Sequence, residues 1–344
     1  MKALVLEAPG DPPRLALRTL PHPSLGPHDV LVKVSACGVC YHDILVMRGT
    51  LRRGVKPQVV LGHEIAGTVE EVGQLVFSLA PGDKVVSILT EPCGWCLRCT
   101  TGREHRCIRG LGIGHGGDGG FAEYVKLHEL ALVRLPPEVD TVEASLLACP
   151  LGVALHALRD AGGLKAGETA LITGAGGGVG THAVQVARAL GARVLAETTS
   201  PHKEGALRSL GADQVLVTPD LAFGDLALAF TEEVGCDVVL NLIGTEAFGE
   251  CWKALAQFGR LVLVGELGGG SVSLAPAEVI FRDARIIGVS GVSRAQVADS
   301  VRLVQGGRIR PVIAQRLPLS VEGALEAYRL LTQERPLGRV VLVP

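Results

Sequence analysis

The sequence is short of several features that would mark particular classes of protein. Only 3% of its 344 residues are aromatic, so a pocket for a bulky stacked substrate is not indicated. The formal net charge of −2 gives no basic surface, so we expect no nucleic-acid partner. No apolar run reaches about 18 residues, and the N-terminus has no cationic leader before an apolar segment. These absences predict a cytoplasmic globular protein without a membrane partner.

The length and the spacing of turn residues predict two domains of different architecture. A chain of 344 residues exceeds one ordinary core. Residues 1–150 carry short β-branched runs at 30–34, 65–69 and 84–88 between prolines and glycines, which favours a partly open all-β barrel. Residues 151–289 predict a doubly wound parallel sheet, and residues 290–344 are expected to complete the first domain. The fold class is therefore α/β.

Four cysteines form the most specific motif of the chain. Cys93, Cys96, Cys99 and Cys107 have the spacing C-x2-C-x2-C-x7-C in a glycine-containing loop. Four thiolates held by tight turns suit a closed tetrahedral structural zinc. Disulfides are the alternative, but cysteines separated by two residues pair awkwardly and nothing marks the chain as exported.

This cysteine motif resembles the structural-zinc lobe of the zinc-dependent alcohol dehydrogenases in the medium-chain dehydrogenase/reductase family. The resemblance extends over essentially the whole chain. It implies a GroES-like β-barrel catalytic domain, a Rossmann dinucleotide-binding domain, and association through the latter into a homodimer or homotetramer.

Three separated segments carry further ligand-type residues. They are Cys40, His63 with the adjacent Glu64, and Cys149. Singly, each has an ordinary explanation as a core or surface residue. Together they match the zinc dehydrogenases in order and context, which implies a second, catalytic zinc held by Cys40, His63 and Cys149. Two thiolates and one imidazole leave the fourth position open for water or substrate, and Glu64 would enter the shell when substrate is absent or exchanging.

The resemblance also assigns roles beside that site. Asp43 matches the carboxylate that orients the histidine ligand. His42 occupies the place of a hydroxyl that passes the alcohol proton outward, which an imidazole can do near neutral pH. The further relay histidine of some members would fall at Leu45. Either His42 passes the proton directly to water or the ribose, or proton transfer is unimportant to the reaction.

A glycine-rich turn predicts dinucleotide binding. It lies between a predicted strand at 169–173 and a predicted helix at 181–190, and its glycines are spaced G-x-x-G-x-x-G rather than G-x-G-x-x-G. Such a turn lets main-chain N–H groups approach a pyrophosphate at a helix N-terminus. The expected contacts are Gly174, Gly177, Gly178, Val179 and Gly180.

The identity of the cofactor depends on the end of the next predicted strand. Glu197 lies near the distance at which an acid binds the ribose of NAD, whereas the resemblance puts that position at Thr198. A hydroxyl-rich turn followed by Lys203 suits a 2′-phosphate better, so NADP is favoured over NAD. By resemblance, further cofactor contacts are Lys203 near the adenosine ribose, Val264 and Val289 at the nicotinamide, and Arg339 at a phosphate.

The combined motifs predict a zinc-dependent alcohol dehydrogenase or carbonyl reductase acting on a small-molecule alcohol, aldehyde or ketone. The motif Cys40-Tyr41-His42-Asp43, the glycine-rich turn and Thr198-Thr199-Ser200 also resemble archaeal-type acryloyl-CoA and enoyl reductases. Retention of every zinc ligand with His42 favours C–O chemistry. A non-catalytic NAD(P)-binding protein is a third alternative, but it would not require an open metal site.

Overall fold

The computed structural model describes residues 1–344, which divide into two compact units. The first comprises Met1–Gly152, Gly291–Gly307 and Pro311–Pro344. The second comprises Val153–Ser290 and Arg308–Arg310. None of the helices combines the length and the apolar character needed to cross a membrane.

The chain folds into strands and α-helices, each set numbered in chain order. The strands are β1 Lys2–Ala8, β2 Arg14–Thr19, β3 Asp29–Gly38, β4 Glu64–Val72, β5 Lys84–Ser87, β6 Thr90–Glu91, β7 Leu111–Gly112, β8 Tyr124–His128, β9 Leu132–Arg134, β10 Thr169–Ile172, β11 Arg193–Thr198, β12 Gln214–Val217, β13 Cys236–Asn241, β14 Leu255–Leu263, β15 Arg285–Gly288, β16 Ile313–Pro318 and β17 Arg339–Val343. The α-helices are α1 Tyr41–Arg48, α2 Leu97–Thr100, α3 Thr141–Ala144, α4 Val153–Leu155, α5 Gly178–Ala189, α6 Glu204–Ser209, α7 Gly224–Phe230, α8 Phe248–Lys253, α9 Pro276–Arg282, α10 Arg294–Gln305 and α11 Val321–Arg329.

The first unit is organised around a sheet with the strand order β16-β17-β3-β4-β5-β9, and β8 also pairs with β3. Only β16 and β17 are parallel; the other pairs are antiparallel. Two small two-stranded sheets, β1-β2 and β6-β7, accompany it. Central strand β3 therefore has β17 and β4 as neighbours, an arrangement that positions one of the candidate sites below.

The second unit is a parallel six-stranded sheet with the order β12-β11-β10-β13-β14-β15. Strand β10 leads into the glycine-rich turn, and the carboxyl end of β11 lies beside that turn. Both strands consist almost entirely of buried residues, as expected for strands covered on both faces. One face packs against a core that includes Leu171, Leu195, Leu216, Phe223, Val239, Phe248, Cys251, Trp252 and Leu261. The predicted α/β class, with a GroES-like and a Rossmann part, is confirmed.

One predicted element boundary was wrong. Helix α5 begins at Gly178 rather than Thr181, because its first turn is built from glycines, whose low helix propensity obscured it in the sequence.

Candidate metal centres and dinucleotide-binding turn

Strand register brings the first cluster of candidate ligands together. Gly38 at the end of β3 pairs with Glu64 at the start of β4 and with Val341 of β17. The chain then leaves β3 through Cys40, which immediately precedes α1. His63 directly precedes β4. Residues that are distant in sequence thus meet where three neighbouring strands begin or end.

Cys149 joins this cluster from a π-helical segment, Leu147–Gly152. Ligand atoms of Cys40, His63, Glu64 and Cys149 all lie within 4.8 Å of one another. The two sulfur atoms are 3.9 Å apart. A hydrogen bond from Cys149, with the charge of Arg339 as a further cause, holds the pKa of Cys40 well below its usual value despite burial.

A buried cation accompanies the cluster. The Arg339 guanidinium is 6% exposed and lies 3.0 Å from Glu64 Oε1. Burial raises the pKa of Glu64 to about 7, although Arg339 acts in the opposite direction. A Cβ on Gly38 would stand 1.9 Å from Glu64 Oε2, so only glycine allows the carboxylate to occupy this place. The expectation that Arg339 contacts a cofactor phosphate stays a prediction; in the structure its Nη2 is paired with Glu64.

Asp43 lies behind the histidine ligand. Its carboxylate accepts hydrogen bonds from the backbone N–H groups of Cys40 (2.8 Å) and Gly62 (3.3 Å). The same oxygen that accepts from Gly62 is 3.5 Å from His63 Nδ1. This arrangement directs the other ring nitrogen, His63 Nε2, towards the cluster, as the sequence-based role of Asp43 requires.

His42 stands beside the cluster with a neighbour that sequence reasoning missed. Its ring contacts His63 edge to face, with centroids 5.1 Å apart, and lies 5.2 Å from the ring of His115. His115 Nε2 is 2.9 Å from the carbonyl oxygen of Arg53. Burial lowers the pKa of His42, and the charge of His63 adds to that effect. His115 is a lone histidine in a glycine-rich loop, and no spacing rule connects it to His42.

The four cysteines of the sequence motif also converge. The Sγ separations are 4.0 Å for Cys93 and Cys99, 3.5 Å for Cys96 and Cys99, and 3.9 Å for Cys96 and Cys107. Backbone N–H groups stabilise the anionic sulfur: hydrogen bonds from Ile108 and then Cys99 lower the pKa of Cys96 to about 6.

These donor sets fit zinc. With zinc–sulfur bonds of about 2.3 Å, tetrahedral coordination separates two sulfurs by about 3.8 Å. The observed separations in both clusters lie close to that spacing. The four-cysteine set is closed, whereas the set with two sulfurs and one imidazole leaves room for a further ligand.

The four-cysteine loop also carries an exposed aromatic residue. Trp95 is 63% exposed, and the Arg109 guanidinium stacks 4.0 Å above its ring.

The glycine-rich turn connects β10 to α5. Gly177 precedes the first residue of the helix, so the backbone N–H groups of Gly178, Val179 and Gly180 belong to the first turn and lack intrahelical acceptors. A Cβ on Gly180 would lie 2.4 Å from the carbonyl oxygen of Gly174, which explains the glycine at that position. A turn that presents bare N–H groups at a helix N-terminus fits a pyrophosphate.

The two residues proposed for ribose recognition, Glu197 and Thr198, are both buried and have different hydrogen-bond partners. Glu197 is fully buried; its Oε2 accepts from Gly174 N at 2.9 Å and its Oε1 from the Thr218 hydroxyl at 3.3 Å. The expectation that Glu197 binds the ribose is therefore corrected: it supports the turn from below. Thr198 Oγ1 accepts from Ser200 N at 3.2 Å, so this hydroxyl shapes the turn that follows β11.

Lys203 and the two valines lie at the same edge of the sheet. Lys203 is buried, and a Cβ on Gly176 would lie 2.4 Å from Lys203 Cδ, so the lysine stem packs on the glycine-rich turn. Val264 follows β14 directly, and Val289 follows β15 and donates its N–H to Leu263 O at 2.9 Å. Ligands of open parallel sheets bind at the carboxyl ends of the strands, where all three residues are found.

The fold and the two donor sets define a class, and comparison with known proteins agrees. Residues 26–137 match the model of the alcohol dehydrogenase GroES-like domain, and residues 178–306 match that of zinc-binding dehydrogenases. The chain therefore belongs to the zinc-dependent alcohol dehydrogenase family of medium-chain dehydrogenases/reductases.

Individual relatives are similar over the whole chain. Acryloyl-coenzyme A reductase of Sulfurisphaera tokodaii is 36% identical, with 100% of each chain covered. NAD-dependent alcohol dehydrogenase of Saccharolobus solfataricus is 33% identical, again with 100% of each covered. Among solved structures, the cobalt- and zinc-bound thermostable alcohol dehydrogenase of Pyrobaculum aerophilum has a TM-score of 0.89 and 31% identity, covering 100% of this chain and 99% of that one.

The four-cysteine loop yields a stability prediction. Replacing Cys96 by serine removes one sulfur donor from a closed set, so we expect the melting temperature to fall by several degrees and the zinc content to fall by about one per chain. Differential scanning calorimetry and metal analysis measure both. Leu97→Ala, a change at a 78% exposed neighbour, is the control and should alter neither quantity. Unchanged zinc content in Cys96→Ser would show that these thiols do not hold a structural metal.

Proposed function

We propose that this chain is a zinc-dependent alcohol dehydrogenase or carbonyl reductase that transfers hydride between an alcohol and NADP or NAD. The single observation that carries the proposal is the open donor set of Cys40, His63 and Cys149, with Glu64 in the same cluster. A purely structural metal needs no open position, and a dinucleotide-binding protein without catalysis needs no metal of this kind. Zinc bound there would polarise the substrate oxygen, and the nicotinamide would exchange the hydride.

The chain's own residues have distinct parts in this proposal. Asp43 fixes the ring of His63, and the Arg339 side chain holds Glu64 at the edge of the donor set. His42 is adjacent to His63 and next to His115, which supports a role in receiving the proton that leaves the alcohol oxygen.

Loss of one donor tests the proposal directly. We expect Cys40→Ala to lower the rate of alcohol oxidation by more than about a hundredfold. A residue that binds the metal directly should contribute at least as much as a residue that only orients such a ligand. Dinucleotide binding should be nearly unchanged, since the glycine-rich turn belongs to the other unit. Steady-state kinetics and a fluorescence titration with reduced cofactor measure the two effects. Cys37→Ala, the same substitution at a buried cysteine outside the donor set, is the control. Full alcohol oxidation by Cys40→Ala would refute zinc chemistry.

A second candidate function is reduction of an activated C=C bond in an acyl-CoA. It is favoured by the 36% identity, over the full chain, to a protein named acryloyl-coenzyme A reductase. A panel of alcohols, aldehydes and acyl-CoA enoates, assayed with both cofactors, separates the two functions. Enoyl-CoA reduction that persists in Cys40→Ala, with no alcohol oxidation in any form, would assign the second function.

Cofactor choice follows from the turn after β11. The Glu197 carboxylate points inward, so it is not available to accept hydrogen bonds from the hydroxyl groups of a free ribose. Lys203 supplies a cation to the same turn. We therefore propose NADP as the preferred cofactor. Thr198→Asp should weaken NADPH binding at least about tenfold through like-charge repulsion and improve NADH binding. Titrations of both reduced cofactors measure this shift, with uncharged Thr198→Val as the control. Tighter binding of NADH than of NADPH by the unmodified protein would contradict the proposal.

We further propose a homodimer, which is the building block of a homotetramer, formed through the outermost strand of the parallel sheet. Strand β15 is at the edge of the sheet. Large apolar side chains on this strand or before it in sequence are exposed to solvent: Phe281 (81% exposed), Ile280 (66%), Val272 (47%) and Ile286 (39%). An edge of this kind pairs readily with a second copy.

A charge on this edge should prevent association. We expect Phe281→Glu to reduce the solution mass, measured by light scattering after size-exclusion chromatography. Phe77→Glu, at an 87% exposed residue of the first unit, is the control and should leave the mass unchanged. An oligomer that persists in Phe281→Glu would place the interface elsewhere.

A further inference from the structure

A fully buried carboxyl group lies directly beneath the glycine-rich turn. Glu197 is in the last part of β11, two residues after Leu195, so the two side chains share the sheet face that packs on the core. Gly174 N donates to one carboxyl oxygen at 2.9 Å and the Thr218 hydroxyl approaches the other at 3.3 Å. The carboxyl therefore anchors the first glycine of the turn.

No opposite charge neutralises this group from the side of the core. Burial raises the pKa of Glu197 to about 7, and the hydrogen bonds from Gly174 and Thr218 only partly oppose that rise. Buried ionisable groups on other elements of the same unit are Cys251 of α8, Cys236 of β13, His182 of α5 and Lys203 after β11. Burial and then the charge of Glu197 raise the pKa of the Cys251 thiol. The neighbour of the Glu197 carboxyl on α8 is therefore an acidic group and not a base.

The charge of Glu197 matters for a ligand on the other side of the turn. A carboxylic acid and a carboxylate both accept the Gly174 hydrogen bond, so the turn keeps its anchor in either state. Only the carboxylate places a negative charge, inside a low-dielectric interior, beneath the site that would receive a pyrophosphate. Binding of an anion must then favour the protonated form, and by reciprocity protonation must favour binding.

We propose that Glu197 is a proton-linked positioning residue, which holds the dinucleotide-binding turn through Gly174 and takes up a proton from solvent when a pyrophosphate binds. The inference rests on the proposed dinucleotide binding at this turn. Affinity should fall as the pH rises through neutrality, by about tenfold for each unit by which binding raises the Glu197 pKa.

Glu197 also determines the sign of a pH dependence in the free energy of unfolding of the unliganded protein. The pKa of Glu197 is raised from 4.5 to about 7 in the folded state, so the folded chain holds more protons than the unfolded chain between these values. The contribution of Glu197 to the free energy of unfolding therefore decreases as the pH rises through that window. Glu197→Gln should remove this slope.

The experiment uses ADP-ribose, which carries the pyrophosphate but has no group that titrates near neutrality. Calorimetric titrations of the full-length protein at pH 6 to 9, in buffers of different ionisation enthalpy, give affinity and proton uptake together. We expect uptake of up to about half a proton per chain near pH 7 and a falling affinity above it. Glu197→Gln should bind ADP-ribose with no uptake and a flat pH profile. Glu204→Gln, at a half-exposed carboxylate of α6, is the control and should behave as the unmodified protein does.

A spectroscopic measurement keeps the test independent of the variant's folding. Glu64, in the other unit, also has a pKa of about 7, so the infrared band of Glu197 is identified as the part that ADP-ribose shifts. In the unliganded protein the band of buried protonated carboxyl groups should weaken as the pH rises through about 7, and the Glu197 part should be retained to higher pH when ADP-ribose is bound. No effect of ADP-ribose on the band, or equal pH slopes in the unmodified protein and in Glu197→Gln, would overturn the proposal. A failure of the unmodified protein to bind either ADP-ribose or NADPH at any pH would instead refute the dinucleotide site on which the inference rests.

Discussion

The register of three neighbouring strands is the constraint on which the first candidate site depends. Pairing of β3 with β4 sets Gly38 against Glu64, and pairing of β3 with β17 brings Arg339 beside them. A one-residue slip in either pair would turn these side chains to the opposite face. Because a buried cation without a partner is strongly destabilising, the contact between Arg339 and Glu64 also penalises such a slip. The metal donors and the sheet are thus specified by the same residues.

The sequence predicted different parts of the candidate sites for different reasons. The four cysteines of the loop lie within a short segment, so their spacing alone indicated a common ligand. Cys40 and Cys149 are 109 residues apart and were connected only through the family resemblance. His115 was missed because its proximity to His42 comes from packing between separate loops, for which neither spacing nor periodicity provides a signal. The fold class was predictable because it depends on many residues rather than on single contacts.

Glu197 shows where counting along the chain fails. Its distance from the glycines suited a ribose ligand, but strand geometry directs successive side chains to opposite faces, and Glu197 takes the inner one. Because the Glu197 side chain points inward, its carboxyl group accepts a hydrogen bond from Gly174 N–H within the protein interior. Arg339 has a partner that its place in the sequence did not indicate, because its guanidinium is paired with Glu64 across neighbouring strands.

The balance of charge around the first cluster explains why its donors suit a divalent cation. Cys40, Cys149, Glu64 and Asp43 can each carry a negative charge within a buried region. They outnumber the cations, which are Arg339 and the imidazole of His63, whose pKa the charge of Asp43 raises despite burial. Such an excess of buried negative charge is unfavourable. Burial, together with the neighbouring negative charges of Cys40 and Asp43, raises the pKa of Glu64 accordingly. A dication relieves the excess without further protons on the sulfurs.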